Sequence, residues 1–244
     1  MAILEEHGAI DSTDPATTEV GRPLLYDGQR LDQPTFHELY LQTPENFRAE
    51  LIDGMVYVMS SPVSPKHGRP FSCMNGFLYH YYINTPGTIG QGDTTTKLGP
   101  QSEVQPDCAL LIDPDFGGQT GEDSKGYTTG CPELVVEISS STLQIDLNAK
   151  KRAYEESGAR EYLVYDEPHR KFHWFILREG KFEPFLKEDD GLYRSQCFPG
   201  LWFDEIAFLA DDGLAVLATL RQGLGSPEHA AFVERLRENR AKRP

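Results

Sequence analysis

No stretch of this 244-residue chain approaches the roughly 18 consecutive apolar residues that a membrane span requires. The opening residues MAILEEHGAIDSTDP are acidic and lack the basic-then-apolar run of a secretory signal, which leads to the expectation of a cytoplasmic protein. Cysteine is scarce: Cys73, Cys108, Cys131 and Cys197 stand far apart, which excludes a zinc knuckle or redox pair and predicts reduced, mostly buried thiols. Basic side chains are outnumbered, 23 against 38 acids, for a net charge of −15. A broad face that releases counterions from a polyanion is therefore missing, and any such contact must be local or bridged by divalent cations. Gly87, Gly90 and Gly92 complete no dinucleotide motif, because Thr95 stands where the final glycine belongs. No Gly-Lys-Ser/Thr ending follows Gly92, and no Gly-x-Ser-x-Gly elbow frames Ser60, Ser61 or the serines at 139–141. Internal repeats and an interdomain linker are absent too.

What remains is an ordinary globular composition, 39% apolar and 11% aromatic. At about 100–200 residues per domain it suits one domain over 21–222. An acidic lead at 1–20, expected to be disordered, precedes it, and a charged helix or tail at 223–244 follows.

The apolar spacing predicts the elements. Phe36, Leu39 and Tyr40 share one face of a short helix that Pro34 opens. Residues 50–54 and 55–59 flank Asp53-Gly54, a strong hairpin signal. From His67 to Ile83, Phe71, Met74, Phe77, Leu78, Tyr81 and Tyr82 recur at helical spacing. Residues 86–100 suit extended edge structure, and 106–112 a strand introduced by a proline. The glycine-rich stretch 114–130 offers little to a core and is expected to be a long loop. The unbroken Leu134-Val135-Val136 run suits a central strand covered on both faces. A helix from about 143 to 157 ends at Gly158, a β-meander follows over 161–203, and 204–222 is helical. The aromatic segments 79–82 and 172–175 are candidate surfaces for a homodimer.

Glu137 places a carboxylate inside the most hydrophobic strand, where it needs a cation, a metal or a proton. Asp107 poses the same problem at the start of the preceding apolar strand. On the next helix Asp146, Lys150 and Tyr154 fall at i, i+4 and i+8, one polar stripe. Should that stripe face the strand ends, two acids and a lysine would form a hard oxygen site for Mg²⁺ beside an ammonium suited to a phosphate. Each feature alone has a plainer reading. Glu137 could be a structural ion pair, Asp107 a cap after Pro106, and Glu50 an exposed strand end. His67 could be a helix-entry residue, and Asp146–Lys150 a solvated pair worth about 0.3–0.5 kcal/mol. His169 and His173 imitate a metal pair at i, i+4 but straddle a turn and a strand, so the helical geometry is missing.

The ordered set resembles the Uma-two family of restriction-endonuclease-like proteins, within the PD-(D/E)XK nuclease superfamily. It comprises Glu50-Leu-Ile-Asp-Gly54, His67 opening a helix, Pro106-Asp107, Val136-Glu137-Ile138-Ser139-Ser140, Asp146-x-x-x-Lys150-x-x-x-Tyr154 and Gly158-Ala-Arg-Glu161-Tyr162, and covers roughly residues 30–208. The resemblance implies an α/β restriction-endonuclease-like core, a central mixed β-sheet flanked by helices with an added meander. It implies Asp107 and Glu137 as ligands of Mg²⁺ or Mn²⁺, Glu50 as a further acid, Lys150 as the catalytic amine, His67 at a substrate phosphate, and hydrolysis of DNA phosphodiesters. One departure stands out: the superfamily carries its lysine two residues after the second acid, where this chain has Ser139, so Lys150 would replace it from the helix. The acidic balance suits an alternative, a catalytically silent member of the fold acting as an oligomeric interaction or scaffold module.

Overall fold

The computed structural model describes residues 23–59 and 64–242. The acidic lead expected at 1–20 lies outside the described residues. In chain order, helix α1 (Gln33–Tyr40) precedes strands β1 (Ala49–Ile52) and β2 (Met55–Val58) and the long helix α2 (Pro65–Ile83). Strands β3 (Thr88–Gly92), β4 (Thr96–Gly99), β5 (Ser102–Val104) and β6 (Cys108–Ile112) follow, then short β7 (Gly121–Glu122) and β8 (Thr128–Thr129). After β9 (Leu134–Ser139) come helix α3 (Lys151–Ser157), the meander β10 (Glu161–Asp166), β11 (Lys171–Arg178) and β12 (Lys181–Pro184), and the small pair β13 (Tyr193–Arg194) and β14 (Trp202–Phe203). Helices α4 (Glu205–Leu209), α5 (Gly213–Leu224) and α6 (Pro227–Ala241) close the chain.

The strands form two mixed six-stranded sheets, ordered β2-β1-β5-β4-β8-β7 and β12-β11-β10-β9-β6-β3. The expected single central sheet is thus the second of these, and the 86–100 segment is divided: β3 edges the second sheet while β4 lies inside the first. Strands β9 and β10 are parallel and joined by the α3 crossover; β6 and β9 are antiparallel. The Asp53-Gly54 hairpin forms as predicted, with both residues at positive φ, 50° and 73°, as its tight turn demands.

Alternation along β9 sets the layers. Leu134, Val136 and Ile138 enter the main core with Met74, Phe77, Leu78 and Tyr81 of α2 and residues of α4, α5 and α6. On the opposite face Val135 packs with Tyr162 and Val164 of β10, Ala153 and Tyr154 of α3, and Ile52 and Val104 of the first sheet. Burial on both faces accounts for the unbroken apolar run in the sequence. A third cluster, with Phe36, Ala49, Leu51 and Val56, seats α1.

Two segments pack more than their composition suggested. The 114–130 stretch contributes Phe116 to the main core, where the Arg240 guanidinium lies 5.0 Å from its ring, and buries Thr120 and Thr128. Buried Glu133 fastens that segment by accepting from the amides of Ile112 and Gln119, at 2.9 and 3.0 Å. The charged C-terminal residues form α6, which inserts Phe232 and Leu236 into the core. Phe172 and Trp174 are likewise core residues, whereas Phe175 of β11 is partly buried and Tyr79 of α2 is half exposed. Among the described residues, no helix is long and apolar enough to cross a membrane.

Candidate active site

Glu137 faces away from the helical core because it alternates with Val136 and Ile138, and this turns its carboxylate toward α3. The facing strand supplies the second acid. Cys108 pairs with Val136, so Asp107, one position earlier, lies opposite Glu137 on the same face. The Asp107 Oδ2 accepts the Ile138 amide at 2.6 Å. Glu50 arrives from the other sheet. Ala49 and Leu51 of β1 point to the α1 cluster, so Glu50 and Ile52 point between the sheets. Its Oε1 accepts the Gln105 amide at 2.6 Å. Burial of both β1 faces overturns the plainer expectation of an exposed strand end; Glu50 is 3% exposed.

Lys150 closes the group from the crossover helix. Its Nζ lies 2.9 Å from Glu50 Oε2, 3.1 Å from Glu137 Oε1 and 3.9 Å from Asp146 Oδ1. The pair Asp146–Lys150 is therefore not a solvated helix face: the residues are 2% and 5% exposed. The helix reaches inward through a π-helical segment at Ile145–Lys150, a feature that no spacing in the sequence announced. There the Asp146 carbonyl accepts both the Lys151 amide, five residues on, and the Tyr162 hydroxyl at 2.9 Å. The Thr142 hydroxyl donates to Asp146 Oδ2 at 2.6 Å, and the Tyr154 hydroxyl to Glu137 Oε1 at 2.9 Å. Thr142 and Tyr162 are thus supporting residues to which the sequence assigned no role, although Tyr162 stands in the Glu161-Tyr162 motif. Thr142, four residues before Asp146 at a helix start, carried a capping signal.

His67 stands at the start of α2 with both ring nitrogens engaged: Nε2 lies 3.2 Å from Asp107 Oδ1, and Nδ1 2.9 Å from the Ile138 carbonyl. The hydrogen bond to Asp107 outweighs the opposing effect of burial and raises the His67 pKa. The pair that imitated a metal motif, His169 and His173, lies beside Asp166, at 2.9 and 3.6 Å.

Electrostatically the group is short of positive charge. Burial pushes the Glu50 and Glu137 carboxyls upward, and for Glu137 the rise is reinforced by Asp146, Asp107 and Glu50 against the pull of Lys150. Burial alone would lower the Lys150 ammonium; Glu137, Glu50 and Asp146 outweigh it and hold its pKa well above the lysine range. Burial, with Glu137 second, also raises the Tyr154 phenol, which stays a donor. Four carboxylates thus surround one certain cation and one imidazole.

Among the described residues, no three His, Cys, Asp or Glu side chains gather closely enough to hold a metal between them alone. Mg²⁺ asks for less: it keeps several waters and takes one or two carboxylates together with substrate oxygens. Asp107 and Glu137, hard oxygen donors on one face of adjoining strands and in excess of local cations, fit that requirement. Both line a cavity of about 850 Å³ with Glu50, His67, Lys150 and Thr142.

Two mixed sheets with flanking helices, carrying strand-borne acids and a buried lysine beside a cavity, define a restriction-endonuclease-like fold. The chain belongs to the Uma2 family, described as "Putative restriction endonuclease", whose pattern it matches over residues 34–210. It also resembles the crystal structure of a "putative nuclease belonging to DUF820" from Anabaena variabilis ATCC 29413. That likeness has a TM-score of 0.51 at 15% identity and covers 75% of this chain and 97% of the other. No curated protein matches the sequence.

Proposed function

We propose that this protein is a divalent-metal-dependent endonuclease that hydrolyses DNA phosphodiesters in the cavity above Asp107 and Glu137. The observation that carries the reading is that Asp107 and Glu137 stand opposite each other on one face of adjoining strands, with the Lys150 ammonium 3.1 Å from Glu137. Asp107 and Glu137 would hold the ion, Mg²⁺ or Mn²⁺. When bound, that ion supplies Lewis acidity at the phosphate and an acidified water as nucleophile.

The chain's own groups do the rest. Lys150 favours the ionised form of Glu137 and lends positive charge to a phosphate as negative charge builds on it. Tyr154 fixes the Glu137 carboxylate by its hydrogen bond, and Glu50 holds the opposite side of the ammonium. His67 secures Asp107 from one side while the Ile138 amide holds it from the other. Lys150 would occupy, from the crossover helix, the place left by Ser139 on the strand. Plasmid nicking in Mg²⁺ or Mn²⁺, lost in Asp107→Ala and Lys150→Ala with folding checked by thermal melts, tests the reading. A net charge of −15 favours the second reading, an inactive fold member serving as an oligomeric interaction module. Absence of nicking together with absence of calorimetric Mg²⁺ or Mn²⁺ binding would select it.

A further inference from the structure

The cavity is of limited size and carries both acids and bases, Asp93 and Glu167 among the acids. Its volume of about 850 Å³ falls in the range of small-molecule sites, about 300–1,000 Å³, enough for one or two nucleotides but not for a duplex. The acids and amine lie at its inner wall, with Glu137 3% and Lys150 5% exposed. Three cations besides Lys150 and His67 line it: Arg48, Lys66 and Arg170. Arg48 is shared with Asp93 at 3.2 Å and Arg170 donates to the Leu209 carbonyl, while Lys66 is exposed on the first turn of α2. Over the whole chain acids outnumber bases, 38 to 23. An aromatic wall completes the picture: Phe71 lines the cavity, one helical turn beyond His67, its ring within 14° of parallel to the imidazole at 6.1 Å. Cations along a groove with an aromatic platform are the means by which proteins hold unpaired strands, every base having a stackable face.

We propose, resting on the nuclease reading above, that the substrate enters as single-stranded DNA, an unpaired segment or frayed end. One base lies against Phe71 and the flanking phosphates meet Lys66, Arg48 and Arg170. Three phosphate contacts predict a slope of log affinity against log salt of about −2 for a single strand, far shallower than a duplex-tracking protein shows.

The test is fluorescence anisotropy with a labelled unstructured oligothymidylate and, separately, a labelled duplex of equal length, in Ca²⁺ so that binding is read without cleavage. The single strand should bind at least tenfold tighter than the duplex. Phe71→Leu, which keeps an apolar side chain against the core, should weaken it about tenfold and leave the duplex unchanged. Lys66→Gln should make the salt slope shallower by about 0.7. Equal or tighter duplex binding, a slope of about −5 or steeper, or an unaffected Phe71→Leu protein would overturn the inference. Should that protein still nick plasmid, the nuclease reading survives without it. Single-strand binding with no metal-dependent cleavage would instead remove the nuclease reading and leave the strand preference. Binding of neither nucleic acid overturns both.

Discussion

Replacing Lys150 with methionine keeps most of the side-chain volume and removes the charge that Glu50, Glu137 and Asp146 surround at 2.9, 3.1 and 3.9 Å. Breaking a buried ion pair by removing one partner costs about 3–5 kcal/mol, because the remaining charge is stranded in a poor solvent. For a chain of this size each kcal/mol moves the melting temperature by about 2–4 °C, so a drop of about 6–20 °C is expected near neutral pH. The pH dependence fixes the cause. The Lys150 pKa is raised on folding, so its contribution is complete below the ordinary lysine value of 10.5 and fades only as pH rises through the folded value. In Lys150→Met the carboxyls of Glu50 and Glu137, already raised by burial, lose their counter-charge. Acid pH then relieves the defect by protonating them. The loss should therefore be largest at pH 8 and smaller at pH 5.5. Adding Glu50→Gln and Glu137→Gln should recover much of the stability without recovering nicking, since a buried ion cluster replaced as a whole is often neutral. Differential scanning fluorimetry at both pH values reads all of this. A Lys150→Met protein melting within 2 °C of the parent at pH 8, or losing as much at pH 5.5, would refute the charge-compensation argument.

Other substitutions probe the supports of the site and of the fold. Tyr154→Phe removes one hydrogen bond to Glu137 and should cost about 1–1.5 kcal/mol by urea denaturation, while reducing nicking more than it reduces stability. Glu161 accepts from Ser195 Oγ, the amides of Gln196 and Cys197, and Trp174 Nε1, so Glu161→Ala should cost at least about 3 kcal/mol by leaving these buried donors unpaired. Burial raises the Glu161 pKa, so the stability linked to its proton is full below about 4.5 and falls as pH rises through the folded value. Glu161→Gln should flatten that dependence in melts taken across acid pH. Glu133→Ala should speed hydrogen exchange at the Ile112 and Gln119 amides and loosen 114–130 while leaving the Lys150 cluster folded.

Much of this architecture was legible because local chemistry and tertiary context agree. The 134–138 apolar run, the Asp-Gly turn and the helix that ends at Gly158, whose φ is 85°, each form where their residues call for them. Asp107 and Glu137 could be paired in advance because a buried carboxylate in an apolar strand demands an explanation. Other features depend on what lies across space. Whether Glu50 faces in or out is undecided by alternation when both faces of β1 are covered. In the π turn that seats Lys150, the Asp146 carbonyl accepts from Tyr162, a strand away. The partition of strands into two sheets rests on pairings such as β1 with β5 and β4 with β8, between segments too short to signal a partner. In α6 the charges conceal Phe232 and Leu236, whose burial is imposed by the core they meet.

The acid and the amine belong to separate pieces of the chain, Glu137 to a strand locked between two neighbours and Lys150 to a crossover buried between that sheet and the other. Buried core strands and helices alike open only near the free energy of global unfolding. Warming should therefore disarm this protein in one stage, the loss of nicking coinciding with the collapse of the β-structure on either side of the crossover.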